Sequence, residues 1–201
     1  YFFKVVGDSD SKNQLNGELI SKWLAKAGVS VNSALPNYPK KIKQHNLWVF
    51  LYEYIEHEFF DGSEQSIYCI GKELGKMHKV MKNYPQLEKI HKKGVSKNQF
   101  LAKQLEDIKN GLIYPAFSTN AINIIKNTSN IEFLSITKNS QVIHGDMNFR
   151  NIIFKKESRT PIIIDFEDTS SAWMSPLYDI AFIIQRFILQ YQVTDKSKLT
   201  S

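Results

Sequence analysis

Apolar positions along the chain fall into two patterns, short β-prone runs and longer stretches at helical spacing, with polar turns between them. Residues 1–6, YFFKVV, read as a strand carrying one lysine, Lys4, and the polar turn GDSDSKN follows. Leu15, Leu19, Trp23, Leu24 and Ala27 then share a helical face, which Gly28 stops. Residues 29–31 and 47–55 read as further strands on either side of the loop NSALPNYPKKIKQHN. From Ser63 the spacing turns helical: Ile67, Ile70, Leu74, Met77, His78 and Met81 keep step, and Gly71 and Gly75 are placed to allow close backbone approach. Helices are also expected over 97–110, with Phe100, Leu101, Leu105 and Ile108 inward and Gly111 as the stop, and over 119–137. Residues 179–191, DIAFIIQRFILQY, are apolar nearly all round and predict a buried helix.

Between these helices lies VIHGDMNFRNIIFKKESRTPIIID, residues 142–165, and the candidate chemistry concentrates there. Two apolar runs, 152–154 and 162–164, flank the polar turn KKESRT, which is a hairpin signature. Pairing Phe154 with Ile162 and Ile152 with Ile164 sets Asn151 opposite Asp165, and directly opposed residues have Cβ atoms about 4.5 to 5.5 Å apart. An amide oxygen and a carboxylate that close suit Mg²⁺, which prefers hard oxygen ligands. Asp146, five residues before Asn151, joins them at the same edge. Taken singly, each of these residues is a common turn-former or helix cap; their conjunction around a hairpin argues for a site.

The pattern His144-x-Asp146-x-x-x-x-Asn151, then a hairpin, then Asp165-Phe166, resembles the catalytic and metal-binding loops of the protein-kinase-like fold. The wording HGDMNFRN, IIDFED and SPLYDIA is similar to the aminoglycoside phosphotransferase and choline kinase group, and Glu167, where protein kinases carry Gly, favours a small-molecule kinase. The resemblance implies an α+β, protein-kinase-like bilobal fold with a partial N-terminal β-lobe, residues 1–56, and a mainly helical C-terminal lobe, residues 57–201, bearing the catalytic hairpin. It also implies that Asp146 orients the attacking hydroxyl, that Asn151 and Asp165 hold Mg²⁺ against ATP, and that His144 and Asp179 brace the loop; Arg150 reads as a further brace of the loop or as a partner for an anion near the site. Lys4 would touch the nucleotide phosphates and pair with Glu18 on the next helix; the plainer alternative is an edge-strand charge and a solvated helix residue. The adenine edge would meet the backbone near residues 53–56, and the helix ending in Met77-His78 would pack under the catalytic loop, with His78 a packed histidine. Asp168 and Trp173 fall along the expected acceptor mouth, where Asp168 either meets a cationic acceptor or is an exposed loop carboxylate.

The phosphate-covering hairpin of that family would precede Lys4 and the chain opens on Tyr1, so upstream residues are expected, and further helices after residue 201. Composition trims the possibilities. A 42% hydrophobic and 12% aromatic content indicates an ordered globular protein, and the single Cys69 excludes an internal disulfide and reads as a buried thiol. No apolar run reaches membrane-spanning length, which leads to an expectation of a soluble, cytoplasmic protein. The net charge of +6 comes largely from lysines scattered on helices over 72–109, a solvated surface more than a nucleic-acid footprint. The function expected is therefore transfer of the γ-phosphate of ATP, with Mg²⁺, to a hydroxyl of a small molecule. Alternatives are a choline, ethanolamine or homoserine type of metabolic kinase and a nucleotide-binding pseudokinase or regulatory module.

Overall fold

The computed structural model describes residues 1–112, 119–127 and 139–189. Strand β1 (Phe2–Gly7) runs straight into α1 (Asp8–Lys26). The polar stretch after Gly7 is thus helix and not turn, because Asp8 and Asp10 lie in the first turn, where the helix dipole favours carboxylates. Gly28 ends α1 at φ +80°, and the Val29 N–H reaches back to the Leu24 carbonyl at 3.0 Å. Strands β2 (Lys40–Ile42) and β3 (Leu47–Tyr52) complete an antiparallel sheet of order β1-β3-β2, in which Lys4 lies opposite Phe50. The strand expected over 47–55 therefore stops at Tyr52, and 29–31 forms only a single parallel bridge from Val31 to Ile163.

After β3 the chain makes β4 (His57–Glu58), then α2 (Glu64–Met81), capped by Ser63 accepting the Ser66 N–H at 3.1 Å. Helix α3 (Leu87–Lys109) begins ten residues before the sequence pattern suggests and ends at Gly111, φ +70°. Helix α4 (Thr119–Asn127) covers the first half of the helix expected over 119–137; the remainder lies outside the described residues. Strands β5 (Gln141–Val142), β6 (Ile152–Lys155), β7 (Pro161–Ile163) and β8 (Trp173–Met174) follow, then α5 (Leu177–Ile183), which widens into a π-helical stretch, Ile184–Leu189. Sheets of order β4-β6-β7 and β5-β8 hold the segment 141–174.

The hairpin is present but slipped by one residue from the expected register. Ile152 pairs with Ile163, Ile153 with Ile162 and Phe154 with Pro161. The tip sets this: Lys155 and Thr160 close a four-residue loop, and Arg159 adopts φ +50° with its N–H on the Lys155 carbonyl at 2.7 Å.

Helix faces differ from the apolar pattern where polar or small residues are the ones that pack inward. On α1 the buried positions include Ser11, Gln14, Glu18 and Ser21, while Leu19 is 51% exposed. The face turns inward there because Gly17 meets the chain after β7: a Cβ at Gly17 would lie 2.7 Å from the Phe166 carbonyl carbon and oxygen. Gly71 and Gly75, read as the close-approach pair, have nothing within 4 Å of a would-be Cβ; among the helical glycines the tight contacts are at Gly17 and at Gly94 against Trp173. On α3, Phe100 and Leu101 face solvent and Asn98 is buried, because Asn98 donates to the Trp173 carbonyl at 2.8 Å. Ile180 and Ile184 are exposed, so the last helix is not buried all round; it is Asp179, Ile183 and Phe187 that point inward. Cys69 is half-buried, not buried. The main apolar core joins Leu24, Met77, Met81, Met147, Ile152, Phe154 and Phe187, and a smaller cluster of Ala34, Phe50 and Tyr52 lies under the first sheet. Each fully buried side chain of this size contributes about 1.5 to 3 kcal/mol.

Candidate active site

The loop between β5 and β6 hangs from one carboxylate. Asp179, at the start of α5 and fully buried, accepts the His78 Nε2–H at 2.8 Å and the His144 N–H at 2.9 Å on one oxygen, and the Gly145 N–H at 2.9 Å on the other. The helix-start aspartate, the α2 histidine and the loop, distant in sequence, meet as the sequence reading expected. His144 is itself completely buried. Its Nδ1 accepts the Asp146 N–H at 3.3 Å, so Nε2 carries the proton and donates to the Ile164 carbonyl at 3.1 Å, tying the loop to the hairpin. Thr169 adds a hydroxyl donor to the His144 carbonyl at 2.9 Å.

This bracing presents Asp146 with one carboxylate oxygen, Oδ2, gripped by two amides, Asn148 Nδ2 at 2.9 Å and Asn151 Nδ2 at 2.8 Å. The Asn151 amide also donates to the Asp146 carbonyl at 2.8 Å, which commits its nitrogen and leaves its Oδ1 as the atom free for a cation. Both of these side-chain donors fall on Oδ2, and Asp146 Oδ1 has no side-chain donor within the loop.

The one-residue slip of the hairpin would put Asp165 on the wrong face if the strand continued. It does not continue. Asp165 takes φ +65°, a left-handed conformation that aspartate tolerates better than most residues, and turns the chain back so that its carboxylate meets Lys4 from β1. Lys4 Nζ lies 3.1 Å from Asp165 Oδ1 and 3.2 Å from Glu167 Oε2. Burial alone would lower the lysine's pKa, but the two carboxylates outweigh it and hold it above the ordinary value.

The expected Lys4–Glu18 pair is replaced by this arrangement. Glu18 is buried and fully engaged: it accepts the Ala34 N–H at 2.8 Å, Gln14 and Ser21 at 3.5 Å, and a short hydrogen bond from the Tyr52 hydroxyl. Burial and then the adjacent Glu18 charge push the Tyr52 phenol well above the usual tyrosine range.

Lys4, Glu18, Tyr52, Arg150, Asn151 and Asp165 line one cavity of about 990 Å³, together with residues 53–55 after β3 and an aromatic wall that includes Phe2, Phe149, Phe166 and Phe187. Arg150 braces the loop through its backbone, whose N–H meets Asn148 Oδ1 at 2.8 Å; its side chain lies over the Phe149 ring. Asp146, Asp168 and Trp173 lie outside this lining, Asp146 directly behind Asn151. Asp168 is exposed beside the would-be Cβ of Gly145, and Trp173 packs on α3, its ring 4.6 Å from that of His91.

The sequence reading left Asn148 without a role and set Glu167 along the acceptor mouth, where the structure pairs it with Lys4. Asn148 carries a legible signal, an amide two residues after a loop aspartate. For Glu167 the signal was its standing in place of glycine.

The donors fit magnesium: Asn151 Oδ1 and Asp165 are hard oxygens on one cavity wall, and among the described residues no three His, Cys, Asp or Glu side chains gather into a self-sufficient metal site. An ion there would complete its shell with phosphate oxygens and water.

Comparison with known proteins agrees with this geometry. Among solved structures, the fold is similar to aminoglycoside 2'-phosphotransferase-IIIa in its GDP complex, at TM-score 0.58 and 17% identity over 92% of this chain and 67% of that one. It is also similar to aminoglycoside-3'-phosphotransferase of type VIII, at TM-score 0.59 and 12% identity over 97% of this chain and 78% of that one. At such identities the likeness speaks for the fold, which is the α+β, protein-kinase-like fold of small-molecule phosphotransferases. No curated protein matches the sequence. A family model described as the phosphotransferase enzyme family matches residues 2–194, nearly the whole chain, and the chain belongs to that family.

Proposed function

We propose that the protein transfers the γ-phosphate of ATP to a hydroxyl of a small molecule with Mg²⁺. The observation that carries this is the convergence of Lys4, Asn151 and Asp165 on one cavity, beside an Asp146 held by two amides. In this reading Asp146 Oδ1 accepts the acceptor's hydroxyl proton as its oxygen bonds to the γ-phosphorus and the bond to the β-phosphate oxygen breaks, releasing ADP. Magnesium, held by Asn151 and Asp165, would supply charge neutralisation at the phosphates.

Lys4 has to leave Asp165 or share it in order to reach the phosphates, and Glu167 keeps it aimed while it does so. The adenine edge would lie against the backbone of residues 53–56, between a lobe of residues 1–56 and one of 57–201; the Glu53 carbonyl already accepts the Asn32 amide at 3.3 Å. Among the described residues no helix is long and apolar enough to cross a membrane, and use of ATP suits an intracellular setting.

The test is transfer of labelled γ-phosphate from ATP and, in parallel, from GTP, to aminoglycosides, macrolides, choline, ethanolamine and homoserine, with and without a chelator. Phosphorylation of one acceptor class that stops when Mg²⁺ is removed is the expected result. Metal-independent transfer would contradict the roles given to Asn151 and Asp165, and absence of nucleotide binding would contradict the reading as a whole.

A further inference from the structure

The cavity holds more positive charge than the nucleotide reading uses. Lys4 is matched by Asp165 and Glu167, but among the described residues neither Arg150 nor Arg186 has an ion-pair partner, although both line the cavity. Arg186 Nε is buried with no hydrogen-bond acceptor. A buried guanidinium N–H without an acceptor is a standing cost that a bound anion removes. The lining carboxylates do not answer it: Glu18 is engaged by Tyr52 and Ala34, Asp165 by Lys4, and Glu53 is exposed beyond the end of β3.

We propose that Arg186 and Arg150 form a subsite for an anionic group, a carboxylate or a phosphate, carried by the acceptor; this rests on the phosphotransfer reading above. Two further observations relate the subsite to the catalytic loop. The chain around Arg186 is wound as a π-helix, Ile184–Leu189, a widening that recurs at functional sites and here presents both Arg186 and Phe187 to the cavity. Arg186 also caps an aromatic column that runs back toward the catalytic loop: its guanidinium lies 5.2 Å from the Phe182 ring, and Phe182 stacks on Tyr178 at 5.6 Å. The Tyr178 phenol is pushed up by burial first and then by Asp179, Asp146 and Asp168, and drawn down by Arg186, so these charges share one neighbourhood. Asn151, next to Arg150 in the cavity lining, donates to Asp146 Oδ2 at 2.8 Å, so the wall that carries Arg150 adjoins the Asp146 carboxylate, and Arg186 lines the same cavity. A planar guanidinium fork matches a carboxylate or phosphate edge and has nothing to offer a polycation.

The experiment is isothermal titration of inorganic phosphate, and separately of glycolate, into the protein saturated with Mg-ADP. The wild type is expected to bind at least one of the two anions, and Arg186→Gln and Arg150→Gln to bind it at least about tenfold more weakly. Retained Mg-ADP affinity in both variants shows that they are folded. Equal anion affinity in wild type and variants, or no binding by the wild type, overturns the proposal. Binding that occurs only when ADP is absent assigns the arginines to the nucleotide's own phosphates and overturns it equally. If the wild type fails to bind Mg-ADP at all, it is the underlying kinase reading that falls. A matched turnover series, homoserine against ethanolamine and choline, should favour the acid-bearing acceptor, and preference for the cationic pair would count against the subsite.

Discussion

Asp179 has no solvent exposure and three N–H donors, so its replacement strands a histidine and two backbone amides at once. Asp179→Ala should therefore destabilise the protein by about 3 to 5 kcal/mol, the range for removing one side of a buried charged network, as read from urea denaturation midpoints. Tyr52 gives a prediction with a pH sign. Its phenol is held up by burial and Glu18 in the folded protein but ionises near pH 10 when unfolded, so above that pH the unfolded state binds fewer protons and stability falls as pH rises. Lys4 acts in the same direction, since its raised pKa keeps its contribution intact below the ordinary lysine value and loses it only above. Tyr52→Phe should flatten the alkaline limb of the stability profile between about pH 10 and 11.5 by up to about 1.4 kcal/mol per pH unit, the slope of one proton; an unchanged slope would mean that the phenol is not in this environment. At this scale much was legible. His144, Asp146, Asn151, Asp165 and Asp179 were singled out through a family's motif spacing along one continuous segment, and the fold draws His144, Asp146, Asn151 and Asp179 together around one loop. The partner of Lys4 was not, because whether Glu18 or Glu167 reaches it depends on how α1 packs, and Tyr52 and the Ala34 N–H claim Glu18 first.

Elements were legible where one face is plainly apolar, as on α2, whose buried positions Ile70, Leu74, Met77, His78 and Met81 follow the pattern. They were misread where the buried face is polar or small. Helix α1 hides Gln14, Glu18 and Ser21 and packs through Gly17, so its apolar Leu19 pointed the wrong way. The hairpin register failed for a related reason: apolar residues on both strands permit two registers, and the choice was made at the tip by the left-handed Arg159. The glycines turn this correction into a measurement. Gly17→Ala would drive a methyl into the Phe166 backbone, which cannot rotate aside, and should cost about 1 to 3 kcal/mol and weaken nucleotide binding by displacing the Asp165 segment. Gly71→Ala and Gly75→Ala meet open space in mid-helix and should stabilise by about 0.5 to 1 kcal/mol, as scored by thermal melts. Equal effects at all three positions would contradict the packing described.

Across the whole molecule, the site is assembled from parts that only the fold brings together. The loop is gripped by α2 and α5 through His78 and Asp179, the hairpin by β4 and by ion pairs at its tip, and the lysine arrives from β1. At that tip Arg159 reaches Glu58 at 3.1 Å and Asp61 at 2.5 Å, and Lys156 reaches Glu56 at 2.5 Å, so the β6–β7 hairpin is tied to the chain after residue 55. These pairs are about half exposed, and their worth lies in geometry more than in stability. Fold class was legible at this scale because local signatures of the catalytic hairpin belong to one architecture. The cavity's aromatic wall and Arg186 were not, since residues from 2 to 187 contribute to it and no sequence spacing records that.

The central claim is that Asp146 serves transfer and not nucleotide binding, while Asp165 serves the metal and nucleotide. Single-turnover γ-phosphate transfer and Mg-ADP affinity, measured together in the wild type, Asp146→Asn and Asp165→Asn, test it most directly. Asp146→Asn should slow transfer by about 10² to 10⁴ with affinity for Mg-ADP nearly unchanged, whereas Asp165→Asn should lose both. Transfer at the wild-type rate in Asp146→Asn, or Mg-ADP affinity untouched in Asp165→Asn, would contradict the account.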